Sequence, residues 1–144
     1  MSMRLSAKAE YAIKAVLDLT LNRGGELIPI QDIAARQGIP QRYLEQVLLA
    51  LKRAGVLTSK RGSSGGYDLT RPPEDITVGA VLRAVEGEHA PFEALARPSD
   101  DRDLAELWTE IAEAVSRVID GLTFAELAAR VRERRSAVRS MYYI

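Results

Sequence analysis

The chain has 144 residues, 20 Lys plus Arg against 20 Asp plus Glu, one His and no Cys, so its formal net charge is zero. The missing cysteines exclude a disulfide framework, a Cys-ligated zinc or iron–sulfur site and a Cys nucleophile, and a single His excludes a two-His metal site. No apolar run is long enough to span a membrane and Met1 to Ser6 lacks a signal-peptide core, so a cytoplasmic protein without a membrane partner is expected.

Apolar residues at Ala9, Ala12, Ile13, Val16, Leu17 and Leu19 keep helical spacing and predict a helix from Ala7 to Asn22. Ser6 suits its N-cap, and Gly24-Gly25 its end. Ile28-Pro29-Ile30 leads into a short helix, about 31–37, stopped by Gly38. Pro40 suits the first turn of a third helix running to about Ala54, because its missing N–H costs nothing there. Tyr43, Leu44, Val47, Leu48 and Leu51 share one side of it, and Gly55 ends it. Two helices across a Gly turn, with a third before them, follow helix-turn-helix grammar.

Residues 56–60 read as a strand, 61–66 as a Gly/Ser loop and 67–70 as a returning strand. A hairpin directly after a helix-turn-helix is a wing. Its glycines let backbone N–H groups approach a phosphate, and its serines add hydroxyls. The loop is no nucleotide-binding loop, since both the GxxxxGK[ST] pattern and the strand–loop–helix setting are missing.

Thr77 caps a predicted helix over 78–86, closed by Gly87. Residues 87–103 read as a connecting loop. From Asp101 to Gly121 runs the strongest helical pattern. Leu104, Trp108, Ile111, Val115, Val118 and Leu122 follow alternating spacings of four and three, an a/d seam that predicts a dimerisation helix, the alternative being an amphipathic helix packed on its own domain. Thr123 caps a last helix in which Phe124, Leu127, Val131 and Val138 continue that spacing. It ends basic, with Arg130, Arg132, Arg134, Arg135 and Arg139. The fold class expected is mainly α with a small β-hairpin wing. Residues 1–86 would form a winged helix-turn-helix domain, 87–103 a connecting loop, and 104–144 the dimerisation and C-terminal helices.

The zero charge is a cancellation. Residues 1–72 carry a balance of +5 and residues 73–144 one of −5. Such asymmetry marks a basic binding face on the winged half. No paired nucleophile, metal constellation or acid–base set accompanies it, so no enzyme is expected.

In order along the chain, Met3-Arg4-Leu5-Ser6 with Tyr11-Ala12, Asp32-Ile33-Ala34, Gln37-Gly38-Ile39, Tyr43-Leu44-Glu45-Gln46 and Leu51-Lys52-Arg53-Ala54-Gly55 carry a resemblance. The most specific match is the wing, Lys60-Arg61-Gly62-Ser63-Ser64-Gly65-Gly66-Tyr67-Asp68-Leu69. Arg71-Pro72-Pro73, Ile76-Thr77-Val78-Gly79 and Ala84-Val85-Glu86-Gly87 follow. Over about residues 3–125 the chain resembles the Rrf-type family of bacterial transcriptional regulators. That family includes an iron–sulfur cluster regulator, a nitric-oxide-sensing repressor and a cysteine-metabolism repressor.

The resemblance implies a homodimer that binds a palindromic operator in double-stranded DNA, with repression as the expected outcome. The third helix would enter the major groove and the wing the adjacent minor groove. Gln41, Arg42, Tyr43 and Gln46 would face bases or nearby phosphates, and Glu45 would influence base choice. The wing residues Lys60, Arg61, Gly62, Ser63, Ser64, Gly65, Gly66 and Tyr67 would contact DNA, and Arg4, Ser6, Lys8 and Tyr11 would touch the backbone. The chemistry agrees. Arg42 can bond guanine bidentately, Gln41 or Gln46 adenine, and Lys8, Lys60 and Arg61 neutralise phosphates. Tyr43 could equally be packing, and Glu45 could pair with Arg42 or Lys52. The competing reading is a winged-helix protein-interaction module that no longer binds DNA. The basic wing and recognition helix weigh against it, since docking a protein needs neither.

Two departures stand out. Ser63-Ser64 replace a Pro and a third Gly common in the family's wing. The three cysteines that cluster-binding members carry before the dimer helix are missing, and His89 in that stretch reads as a surface residue. The resemblance is therefore to the clusterless branch, with no cofactor or metal and with a partner enzyme or small molecule as effector.

Overall fold

The computed structural model describes residues 6–87 and 102–142. Its elements are α1 (Ala7–Leu21), α2 (Ile30–Gln37), α3 (Gln41–Arg53), β1 (Leu57–Lys60), β2 (Gly66–Leu69), a 3₁₀ turn (Pro73–Asp75), α4 (Val78–Glu86), α5 (Arg102–Gly121) and α6 (Phe124–Tyr142). The described residues are mainly helical with one two-stranded antiparallel sheet, as the sequence predicts.

Local chemistry sets most boundaries. The Ser6 hydroxyl accepts the Ala9 N–H at 3.0 Å and caps α1. That helix stops at Leu21, before Gly24-Gly25, because Asn22 closes it. Both the backbone and side-chain amides of Asn22 donate to the Asp18 carbonyl, at 3.0 and 2.8 Å. Gly38 takes φ +63°, ending α2 left-handed, and the Ile39 N–H returns to the Ala34 carbonyl at 3.1 Å. A residue with a Cβ is disfavoured there, so this glycine makes the sharp turn between α2 and α3. Pro40 is the N-cap of α3 rather than part of its first turn.

The wing contains more than a hairpin. β1 pairs with β2 from Leu57↔Leu69 to Lys60↔Gly66. Ile28 forms an isolated bridge to Tyr67 from the other side, its N–H donating at 3.0 Å and its carbonyl accepting at 2.8 Å. The segment before α2 is thereby tied to the wing. Gly66 (φ +154°) lies against the Ile28 carbonyl, where any Cβ would collide with backbone.

The core joins Ala12, Ala15, Val16 and Leu19 of α1 to Leu44, Leu48 and Leu51 of α3 and Val81 and Leu82 of α4. One sequence expectation changes here. Phe124 does not prolong the α5 seam but is fully buried in this core, and Ala128 is buried one turn on. The reason is a backbone clasp. Phe124 N–H donates to the Ile76 carbonyl and Val78 N–H to the Leu122 carbonyl, both at 2.9 Å. From Ala129 on the described part of α6, with all its arginines, is exposed apart from the half-buried Val131.

Two ion pairs orient helices. Asp18 is 1% exposed, yet receives Arg36 Nε and Nη2 at 2.9 Å each and Gln37 Nε2 at 3.0 Å. This locks α2 onto α1, and the hydrogen bond to Asp18 raises the Arg36 guanidinium above its ordinary value. Arg83 grips Asp120 bidentately, with Nη2 to Oδ2 at 2.9 Å, and ties α4 to α5. That hydrogen bond holds the Asp120 carboxyl below the usual carboxylate range, against the opposing effect of desolvation.

Candidate nucleic-acid interface

α3 buries Leu44, Val47, Leu48 and Leu51 on one arc. The opposite arc presents Arg42, Glu45, Gln46, Leu49 and Arg53, all exposed. These positions follow helical neighbour spacing, so they form one continuous stripe. Gln41 is exposed at the start of the helix. Tyr43 lies at the edge of the buried arc and is exposed rather than packed in the core. Its ring lies 5.1 Å from the Arg42 guanidinium carbon, and Arg42 Nη2 donates to its hydroxyl at 3.3 Å. Glu45 makes no ion pair with Arg42 or Lys52.

A groove flanks the stripe on each side. Between α3 and the start of α1, Lys8, Tyr11, Tyr43 and Gln46 line a groove floored by Ala7 and Val47. Between α3 and the wing, Leu49, Lys52, Lys60, Arg61, Gly62, Ser63, Gly65, Gly66 and Tyr67 surround a second groove, closed by the N-terminus of α2. Tyr67 also leans on the core from there. Ser64 faces away from this groove, lining a polar cleft toward Glu26 and Asp32 with Ser63 and Gly65. Ser6 is already engaged, capping α1 and donating to Glu86. Arg4 and His89 lie outside the described residues.

The charge distribution sharpens the picture. Lys14, Arg23 and Arg36 are spent on Glu10, Asp68 and Asp18. Among the described residues Lys8, Arg42, Lys52, Arg53, Lys60, Arg61 and Arg71 make no ion pair, and most of these border α3. The basic balance of the winged half is therefore concentrated on one face. Leu49, Lys52 and Arg53 join the site only in the structure. The signal for them in the sequence is their spacing of three, six and seven residues from Gln46.

On α5 the apolar seam lacks cover, for none of the helix's residues is buried. Leu104 is 40% and Val118 66% exposed. Trp108, Ile111 and Val115 are half-buried, while Leu122 packs against the core. No helix among the described residues is long and apolar enough to cross a membrane.

Comparison with known proteins supplies the context. The Rrf2 family, described as "Iron-dependent Transcriptional regulator", matches residues 5–130. The HTH-type transcriptional regulator CymR of Bacillus subtilis is 34% identical over 144 residues, covering 99% of this chain and 100% of that one. The solved structure of CymR, titled the global cysteine regulator of B. subtilis, superposes with a TM-score of 0.78 at 31% identity, covering 90% of this chain and 98% of that one. The IscR structure from T. potens gives 0.81 at 33% identity, covering 99% and 98%. These relatives are transcriptional regulators and not enzymes. Among the described residues the iron named in the family description finds no fitting donors. The sequence has no cysteine, and no group of three His, Asp or Glu among the described residues can hold a metal ion.

Proposed function

Because this chain belongs to the Rrf2 family of transcriptional regulators, we propose that it is a DNA-binding regulator acting as a homodimeric repressor on a palindromic operator, without an iron–sulfur cluster. The observation that carries the reading is the unpaired basic face around α3, with the wing on one side and the start of α1 on the other. Residues 1–86 bind DNA and residues 104–144 pair the two copies, with Phe124 fastening the second unit to the first. The seam of Leu104, Trp108, Ile111, Val115 and Val118 meets its counterpart in the second copy, because an apolar stripe this exposed is costly in water. Leu122 anchors the end of that helix.

α3 lies in the major groove, where Arg42 takes guanine, Gln41 or Gln46 takes adenine, and Glu45 biases its position toward cytosine. Lys8, Lys52, Lys60 and Arg61 neutralise phosphates and supply affinity and salt dependence. Tyr11 and Tyr43 wall the α1 side, and the Gly62–Gly66 loop with Tyr67 enters the minor groove. The absence of cysteine supports regulation through a partner protein or small molecule instead of a cluster. The protein then works in the bacterial cytoplasm, beside the chromosome.

Fluorescence anisotropy with the protein's own upstream DNA tests this. Tight, sequence-selective binding that weakens steeply with salt is expected. Arg42→Ala should relax sequence preference, whereas Lys60→Ala should weaken all sequences about equally. Binding that is weak, salt-insensitive or indifferent to sequence would overturn the proposal.

A further inference from the structure

Leu49 is out of place for a residue of its kind. It is 45% exposed near the middle of α3. Among the described residues it is the one large aliphatic side chain exposed on residues 6–87, since the others lie on α5 and α6. It falls on the stripe that otherwise carries Arg42, Glu45 and Gln46, and these four occupy positions i, i+3, i+4 and i+7. That is the pattern by which a helix lying along a DNA groove presents side chains to successive base edges. Around Leu49 stand Lys52, Lys60 and Arg61, which line the same groove and outnumber its one acid, Asp32. With Arg42 and Arg53 on the stripe, the surroundings are cationic and favour an anionic partner over an apolar protein.

On this reading of the chain as an operator-binding regulator, we infer that Leu49 reads the 5-methyl group of a thymine in the major groove. The chemistry favours one target. Base edges in that groove present donors, acceptors, the small C5–H of cytosine and one bulky apolar group, the thymine methyl. Gln46 and Glu45 satisfy donors and acceptors; an aliphatic side chain beside them buries most against the methyl. Burying it also removes the half-exposed leucine from water. The rise of α3 places Leu49 about 10 Å along the axis from Arg42. At about 3.4 Å per base step, the thymine lies about three base pairs from the base read by Arg42.

The test uses the full-length chain and the operator recovered by crosslinking. Each thymine of one half-site is replaced in turn by deoxyuridine, which removes only the methyl, and affinity is measured by anisotropy at fixed salt. For the native protein one position should weaken binding about fourfold. Leu49→Ala should bind the thymine operator less tightly and show no further loss at that deoxyuridine. A melting curve checks that the variant is folded, as expected for an exposed position. If no deoxyuridine weakens the native protein, or if Leu49→Ala loses the same factor at the same position, the inference is overturned while the regulator reading stands. If no selective binding exists at all, the regulator reading fails and the inference with it.

Discussion

Removing Arg36 should harm the protein more than removing its partner Asp18, and the structure sets the asymmetry. The Asp18 side chain is 1% exposed, whereas that of Arg36 is 40% exposed. Arg36→Ala strands a buried carboxylate with only Gln37 to hold it. Breaking a buried pair this way costs about 3–5 kcal/mol. Retention of Gln37 and water entering the vacated space reduce that to about 2–3 kcal/mol. Asp18→Ala instead frees a guanidinium that turns into solvent, so only net hydrogen bonding is lost, about 1–2 kcal/mol. The double variant should resemble Asp18→Ala alone, because the stranded charge is gone. Urea denaturation of the three variants gives the cycle, and Arg36→Ala should lower Tm by about 5–10 °C. The exposed Lys14–Glu10 pair is the control, with Lys14→Ala changing stability by less than about 0.5 kcal/mol. If Arg36→Ala costs no more than Asp18→Ala, or matches the control, the burial argument is wrong.

Phe124→Ala should cost about 3–5 kcal/mol, seen as a lower urea midpoint, because it empties a fully buried site between α1 and the 3₁₀ turn. A loss below about 1 kcal/mol would mean that α6 is not part of the core. Ile111→Glu places a charge within the α5 seam and should give monomers in sedimentation equilibrium with the winged half still folded. An unchanged dimer would place the contact elsewhere. The Asp120 pKa is depressed by Arg83 in the folded state, below the ordinary carboxylate value that it keeps in the unfolded chain. As pH falls the unfolded chain takes the proton first, so the stability this pair contributes is fully present above about pH 5 and is lost as pH drops through the folded pKa. The stability difference between native protein and Arg83→Met should therefore be constant at neutral pH and shrink below about pH 4. A difference independent of pH would refute the linkage.

Features that a few neighbouring residues can decide are legible in the amino-acid order. Ser6 and Thr77 cap their helices through hydroxyls three residues from the amide they meet, and Gly38 turns the chain at its own dihedral angle. Apolar spacing located α3 and α5, and the absence of cysteine alone ruled out a Cys-ligated cluster.

What tertiary structure decided required partners far apart in the chain. Periodicity reports that Phe124 is apolar but not what it meets, and the Ile76 clasp turned it inward. Asp18 reads as an ordinary surface acid until Arg36 arrives from α2 to balance its burial. Ile28 gains its bridge only when β2 folds back beside it. Leu49 sits in the apolar run Val47-Leu48-Leu49, and its exposure follows from which arc of α3 meets α1 and α4. Burial is set by the whole packing arrangement, so residue type alone does not separate a core leucine from an exposed one.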